Sequence, residues 1–245
     1  GGKDNSLNKQ HMGTSYLVQN SNKKSIQVNL KTDKGKNIVH ELIKTADIFV
    51  ENMRPGKADK IGLGWDHLTN INDKLIYCSI SAFGQDGPFS KRGAYDHVVQ
   101  GMSGIMSTTG TKESGPTKVG APYIDYSTGL NAAFAIISAL YEVKINKKPI
   151  RLDVSMLDTS FLLMANMVTE HLNSGWIPSA MGNEAQSGSP SSGLFQTRTS
   201  TILLAANNEI QFNSLCDAIN TITFFDKDKW IDSEYRKKNK EELRL

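Results

Sequence analysis

Leu75-Ile76-Tyr77-Cys78-Ser79-Ile80 is a short run of apolar and small side chains, with Asn72-Asp73 before it and Phe83-Gly84-Gln85 after it. A run this short, bounded by turn residues, reads as a strand buried on both faces. Asp47-Ile48-Phe49-Val50 repeats the pattern on a smaller scale. Further upstream, Ser25-Ile26-Gln27-Val28-Asn29-Leu30 alternates as a strand would. Between these, Thr32 to Thr45 carries Ile38, Val39, Leu42 and Ile43 at helical spacing behind a Thr-Asp cap region. Asn52 to Gly56 reads as a turn, and Trp65 to Ile71 as a helical link. Short apolar strands alternating with helices build βαβ units around a parallel sheet, so the fold class is α/β. In such sheets ligands bind in the loops at the carboxyl ends of the strands.

From Tyr95 onward helices dominate. Tyr95 to Met106 carries Val98, Val99, Met102 and Ile105, and a polar loop follows from Ser107 to Thr117. A helix-like run covers Tyr126 to Val143, strongly apolar from Leu130. Pro149 to Val154 reads as a strand and Met156 to Leu172 as one apolar helix. The Gly/Ser/Pro-rich stretch Gly182 to Gly193 reads as a mobile loop. Thr201 to Ala205 then makes a strand and Ile210 to Ile219 a helix, ahead of a charged tail. No internal repeat is visible.

The 245 residues are 38% hydrophobic and 22% charged, an ordinary globular composition. A net charge of +3, with the cations dispersed, is too weak for a nucleic-acid footprint and suits a small anionic ligand. Cys78 and Cys216 lie far apart and read as buried thiols of a reducing compartment. His11, His40, His67, His97 and His171 show no metal spacing, so no metal is expected. Gly62-x-Gly64 lacks the third glycine of a dinucleotide fingerprint. No apolar run reaches the roughly 18 residues of a membrane span, and no signal peptide is visible. The expected compartment is the cytoplasm, with the mitochondrial matrix open.

Asp125 stands between Val119-Gly120-Ala121-Pro122-Tyr123-Ile124 and the helix-like run. Its position allows two readings. In one it caps the helix, its carboxylate held ionised by first-turn amides and the helix dipole. In the other the ionised carboxylate, beside small Ser127, Thr128 and Gly129, is a nucleophile toward an activated acyl group. Asp153 and Asp158 read as a strand end and a helix cap, and Trp65, Trp176 and Trp230 as packing residues.

Several segments, in order, carry a resemblance to a known family: Asn22 to Ile26 with Leu30-Lys31-Thr32 and Gly35; Ala46-Asp47 through Val50-Glu51-Asn52-Met53-Arg54-Pro55-Gly56; Gly62-Leu63-Gly64-Trp65; Ile76 to Ser81 with Phe83-Gly84-Gln85 and Gly87-Pro88; Tyr95-Asp96 with Gln100, Ser103 and Gly104; Val119-Gly120 through Asp125 and Gly129; and Asp153 to Asp158. From about Ser21 onward the chain resembles the class III coenzyme A transferases, also called the CaiB–BaiF family. The resemblance implies a Rossmann-like parallel-sheet domain plus a smaller α+β domain, as in an interlocked-dimer fold. It divides the chain into a large CoA-binding domain over 1–172, a linker and mobile loop over 173–193, and part of the small domain over 194–245. It also implies that both ends are shortened relative to full members, which leaves activity of the chain alone open.

The family nucleophile falls on Asp125. The implied reaction passes through an aspartyl–acyl anhydride and an aspartyl-CoA thioester, moving CoA from an acyl-CoA donor to a small carboxylic acid. Coenzyme A is thus a substrate carrier, and a homodimer is the implied assembly. The implied CoA contacts are Val28, Lys31, Asn52, Met53, Arg54, Lys60, Arg92 and Tyr95. The cations among them are suited to phosphates. A glycine loop that would stabilise oxyanions falls on Gly188 or Gly193. In the racemase branch of the family a histidine stands thirty positions before the aspartate. Here that position is Tyr95, a poor base near neutral pH, while His97 lies two residues on and is expected on another side of the helix. The alternative reading is a non-catalytic CoA- or nucleotide-binding relative.

Overall fold

The computed structural model describes residues 3–219 and 229–244. Gly1, Gly2, Leu245 and residues 220–228 of the expected small domain lie outside the described residues. Strands β1 (Ile48–Glu51), β2 (Ile76–Ser81) and β3 (Ile150–Ser155) form a parallel sheet in that spatial order. Ile48 stands opposite Ile76, and Ile76 opposite Ile150. The central strand is buried from Ile76 to Ser79, as its unbroken apolar run requires.

Successive side chains of a strand face opposite ways, and β2 uses this to build two cores. Tyr77 packs on one face with Ile43, Leu63, Leu68 and Leu75. The helices α3 (Asp33–Ile43), α4 (Lys57–Lys60) and α5 (Trp65–Ile71) lie in this part of the chain. The Tyr77 hydroxyl donates to the Leu63 carbonyl at 3.0 Å. Burial, with the charges of Glu51 and Asp59 adding to it, pushes that phenol up to about 12. Cys78 points the other way, against Ala132 and Val154. Ala132 belongs to α8 (Tyr123–Asn146). Burial and the nearby carboxylates of Glu51 and Asp153 raise the Cys78 thiol to about 11.

A third cluster, of Ala82, Val99, Ile105, Ile124, Met156 and Met164, joins α8 to α6 (Asp96–Ser103), α7 (Ile105–Thr108) and α9 (Met156–Leu163). The remaining elements are α1 (Asn5–Lys9), α2 (Thr14–Gln19), α10 (Ala165–Ser174), β4 (Ser192–Gln196), β5 (Thr201–Ala205), α11 (Glu209–Ala218), α12 (Ser233–Lys238) and α13 (Lys240–Arg244). Strands β4 and β5 pair antiparallel. The Arg244 guanidinium donates to the carbonyls of Pro190, Ser192 and Leu194 and covers the Phe195 ring at 4.2 Å. No helix among the described residues is long and apolar enough to cross a membrane.

Several expectations are corrected. Ser25 to Leu30 alternates but forms no strand, because no described segment pairs with it and a strand exists only in a ladder. The helix expected over Tyr95 to Met106 divides at Gly104, whose φ of +88° is left-handed. The helix expected over Met156 to Leu172 divides at Met164, where φ is −107° and ψ 21°. The cap of α9 is Ser155, whose hydroxyl accepts the Asp158 amide at 2.9 Å, so Asp158 is inside the helix rather than its cap. Trp65 and Trp230 pack, but Trp176 is exposed.

Candidate functional site

The carboxyl ends of β1 and β2 open into a cavity of about 260 Å³, lined by Asn52, Met53, Arg54, Pro55, Ser81, Ala82, Arg92, Gly93, Ala94 and Tyr95. Five of the residues expected to contact CoA, Asn52, Met53, Arg54, Arg92 and Tyr95, therefore converge on one wall system. The turn after β1 is held by Glu51, a buried side chain whose Oε2 accepts the Met53 amide at 2.7 Å. Gly93 is open toward Arg54: a Cβ there would sit 3.4 Å from its guanidinium. The Arg92 guanidinium lies 4.7 Å from the centre of the Phe89 ring. The Ser81 Oγ is buried and meets no hydrogen-bond partner among the described residues. Two guanidiniums, turn amides and an unpartnered hydroxyl at strand ends suit a phosphorylated ligand.

The other expected contacts are placed elsewhere. Val28 lies on the irregular segment before α3 and Lys31 in the turn that leads into it, and Lys60 ends α4; none of the three lines the cavity. Gly188 sits in the loop with φ of +69°. Gly193 is in β4 opposite Leu204, not in the loop, and a Cβ there would meet the Asn183 carbonyl at 2.8 Å.

Asp125 is the third residue of α8, so it is not the helix cap. The cap position is Pro122, which has no side chain able to accept a first-turn amide. That task falls to Asp96 of α6: its Oδ2 accepts Ile124 N at 2.8 Å and Asp125 N at 3.2 Å. The expectation that α8 amides hold the Asp125 carboxylate ionised is thereby overturned. Loss of water contact first, and the Asp96 charge second, raise the Asp125 carboxyl above the usual range. The same two causes raise the Tyr123 phenol.

Tyr95 immediately precedes Asp96 and caps α6, with its ring exposed beside the cavity. His97 is not on another side: its ring lies parallel to that of Tyr95, centres 6.2 Å apart. Asp96 and Gln100 were without a role in the sequence. Their i, i+4 spacing on the buried face of a helix is the signal that marks them.

The profile of CoA-transferase family III matches residues 3–245. The chain belongs to CoA-transferase family III. It is 35% identical to the succinate–glutarate CoA-transferase of Agrobacterium fabrum over 94% of the chain and 57% of that protein. It is 34% identical to the human succinyl-CoA:glutarate CoA-transferase over 94% of the chain and 52% of that protein. The crystal structure of a CAIB/BAIF family protein from Brucella suis superposes with a TM-score of 0.80 at 33% identity, covering 91% of this chain and 58% of that one. This family III chain thus spans little more than half the length of the curated relatives it matches.

Proposed function

We propose that the protein carrying this chain transfers CoA between an acyl-CoA donor and a small carboxylic acid, with Asp125 as the covalent nucleophile. The observation that carries this reading is the junction at α6. Its first residues join the cavity wall at Tyr95 to the Asp125 backbone through Asp96. Family membership and the names of the relatives support the reaction class.

A carboxylate oxygen of Asp125 attacks the thioester carbonyl carbon. The C–S bond breaks, leaving an aspartyl–acyl anhydride and the CoA thiolate. The thiolate attacks Cγ of Asp125, expels the donor carboxylate and forms aspartyl-CoA. The acceptor carboxylate attacks that Cγ and frees the thiolate again, which attacks the acceptor acyl carbon and restores Asp125. One anion enters and one leaves at each step, so no net proton transfer is needed. Covalent catalysis of this kind divides one exchange into easier ones. Arg54 and Arg92 would meet CoA phosphates, with Val28, Lys31, Asn52, Met53, Lys60 and Tyr95 completing the nucleotide contacts. Backbone amides near Gly188 would serve the oxyanions. Tyr95 in place of a histidine argues against racemisation.

A homodimer is part of the proposal. Leu130, Phe134, Ile137, Tyr141 and Ile145 form an exposed apolar stripe along α8, each more than 60% accessible. A soluble protein normally covers a continuous stripe of that kind. Incubation of the full-length protein with labelled acyl-CoA, followed by peptide mapping, tests the reaction. Label is expected on the peptide containing Asp125. Asp125→Ala should bind CoA and lose exchange, and turnover retained in that variant refutes the assignment.

A further inference from the structure

Gln100 is fully buried, on the α6 face that looks toward α8. Its amide is used at both ends. Nε2 donates to Asp96 Oδ1 at 2.5 Å, and Oε1 accepts Val119 N at 2.9 Å. Asp96 in turn holds the amides of Ile124 and Asp125. The strand-less approach to α8, from Val119 to Asp125, is therefore bracketed at both ends by two side chains one helical turn apart on α6. Nothing on α8 itself does this, since its cap is Pro122 and no side chain of its own satisfies the first-turn amides. A side-chain amide donates toward a carboxylate through its NH2 group while its oxygen accepts a backbone N–H, so Gln100 spans both partners at once.

The consequence for Asp125 is chemical as well as geometric. Asp96 takes the first-turn donors, and the Asp125 carboxylate accepts no hydrogen bond among the described residues. A carboxylate relieved of donors keeps its lone pairs for attack. The titratable groups on the elements packed against α8 include Tyr77 and Cys78 of β2, Asp153 of β3 and Asp158 of α9. Of the charged groups, only Asp96 contributes to the raised Asp125 carboxyl.

We infer that Gln100 is a positioning residue for the covalent step, acting through Asp96 and Val119 to fix the backbone of Asp125 against α6. This inference rests on Asp125 being the nucleophile. Gln100→Met keeps the length and apolar packing of the side chain and removes both hydrogen bonds. Gln100→Glu keeps the shape but sets a second acceptor against Asp96. In the full-length protein both are compared with the native enzyme for CoA affinity, kcat and acyl labelling of Asp125. Amide hydrogen exchange across residues 119–125 is followed alongside.

Both variants are expected to bind CoA within about twofold of the native protein and to lose about tenfold or more in kcat, because misplacement at a reacting centre costs rate before affinity. Exchange at the Val119, Ile124 and Asp125 amides should accelerate. Unchanged kcat overturns the inference, as does a kcat loss that merely follows CoA affinity. Loss of a cooperative melting transition in both variants also overturns it, since Gln100 would then serve folding alone. If Asp125 is never labelled in the native protein, the proposed function fails. The exchange rates then still report whether Gln100 holds the segment.

Discussion

The Asp125 amide lies 3.2 Å from a carboxylate oxygen of Asp96, so the proposed nucleophile is anchored by a residue that also opposes its charge. In the proposed reaction the raised Asp125 carboxyl must lose its proton before it can attack. Transferase activity is expected to fall on acidification at a higher pH than for an ordinary aspartate near 3.9. Asp96→Asn removes the opposing charge, and its acidic limb should move to lower pH even where its maximal rate is reduced. A pH profile of kcat/KM for the two proteins measures this. A limb that does not move would remove Asp96 as a cause.

The same shift makes a stability prediction of definite sign. A carboxyl whose folded value exceeds its unfolded value binds protons more tightly when folded. Its contribution to stability is complete below the unfolded value and is lost as pH rises through the folded one. Asp125→Asn escapes that loss. It should melt above the native protein at pH 7, by on the order of 1–3 °C given its exposure, with the difference vanishing near pH 3. Paired thermal melts across this range are the measurement.

Ser81 predicts two effects of opposite sign. Its buried hydroxyl costs free energy while unpartnered, so Ser81→Ala should stabilise the unliganded protein, by about 1 kcal/mol. If that hydroxyl meets CoA in the cavity, the same change weakens CoA binding by roughly 3- to 10-fold. Urea unfolding and calorimetric titration with CoA separate the two. A variant that binds CoA as tightly as the native protein removes Ser81 from the site.

Gly35 fixes the turn before α3. A Cβ there would lie 2.0 Å from the Asn29 carbonyl oxygen, closer than any relaxation of a side chain can relieve, because the obstacle is backbone. Gly35→Ala should destabilise by about 1–3 kcal/mol, through displacement of the turn that leads to Lys31. Denaturant unfolding gives the magnitude. A near-neutral result would mean that Asn29 moves freely.

The parallel sheet was legible because β1 and β2 are short apolar runs and β3 alternates apolar with polar residues, each set between helical patterns. The bounds of α5 and β5 are those read from the sequence. Helix breaks at Gly104 and Met164 were not legible, because each interrupts a continuous apolar pattern at a single residue. In the site, the turn Asn52–Arg54 and the Arg92–Tyr95 stretch line one cavity. The capping of α8 was hidden, because the residue that performs it is 28 positions upstream of the amide it binds most closely. Local sequence shows a helix start with an aspartate near it. Only the packing of α6 on α8 shows that another aspartate does the capping.

Arg244 holds the carbonyls of Pro190, Ser192 and Leu194 with a single guanidinium. Replacing Arg244 by a neutral side chain would leave all three carbonyls without that donor and loosen the approach to β4.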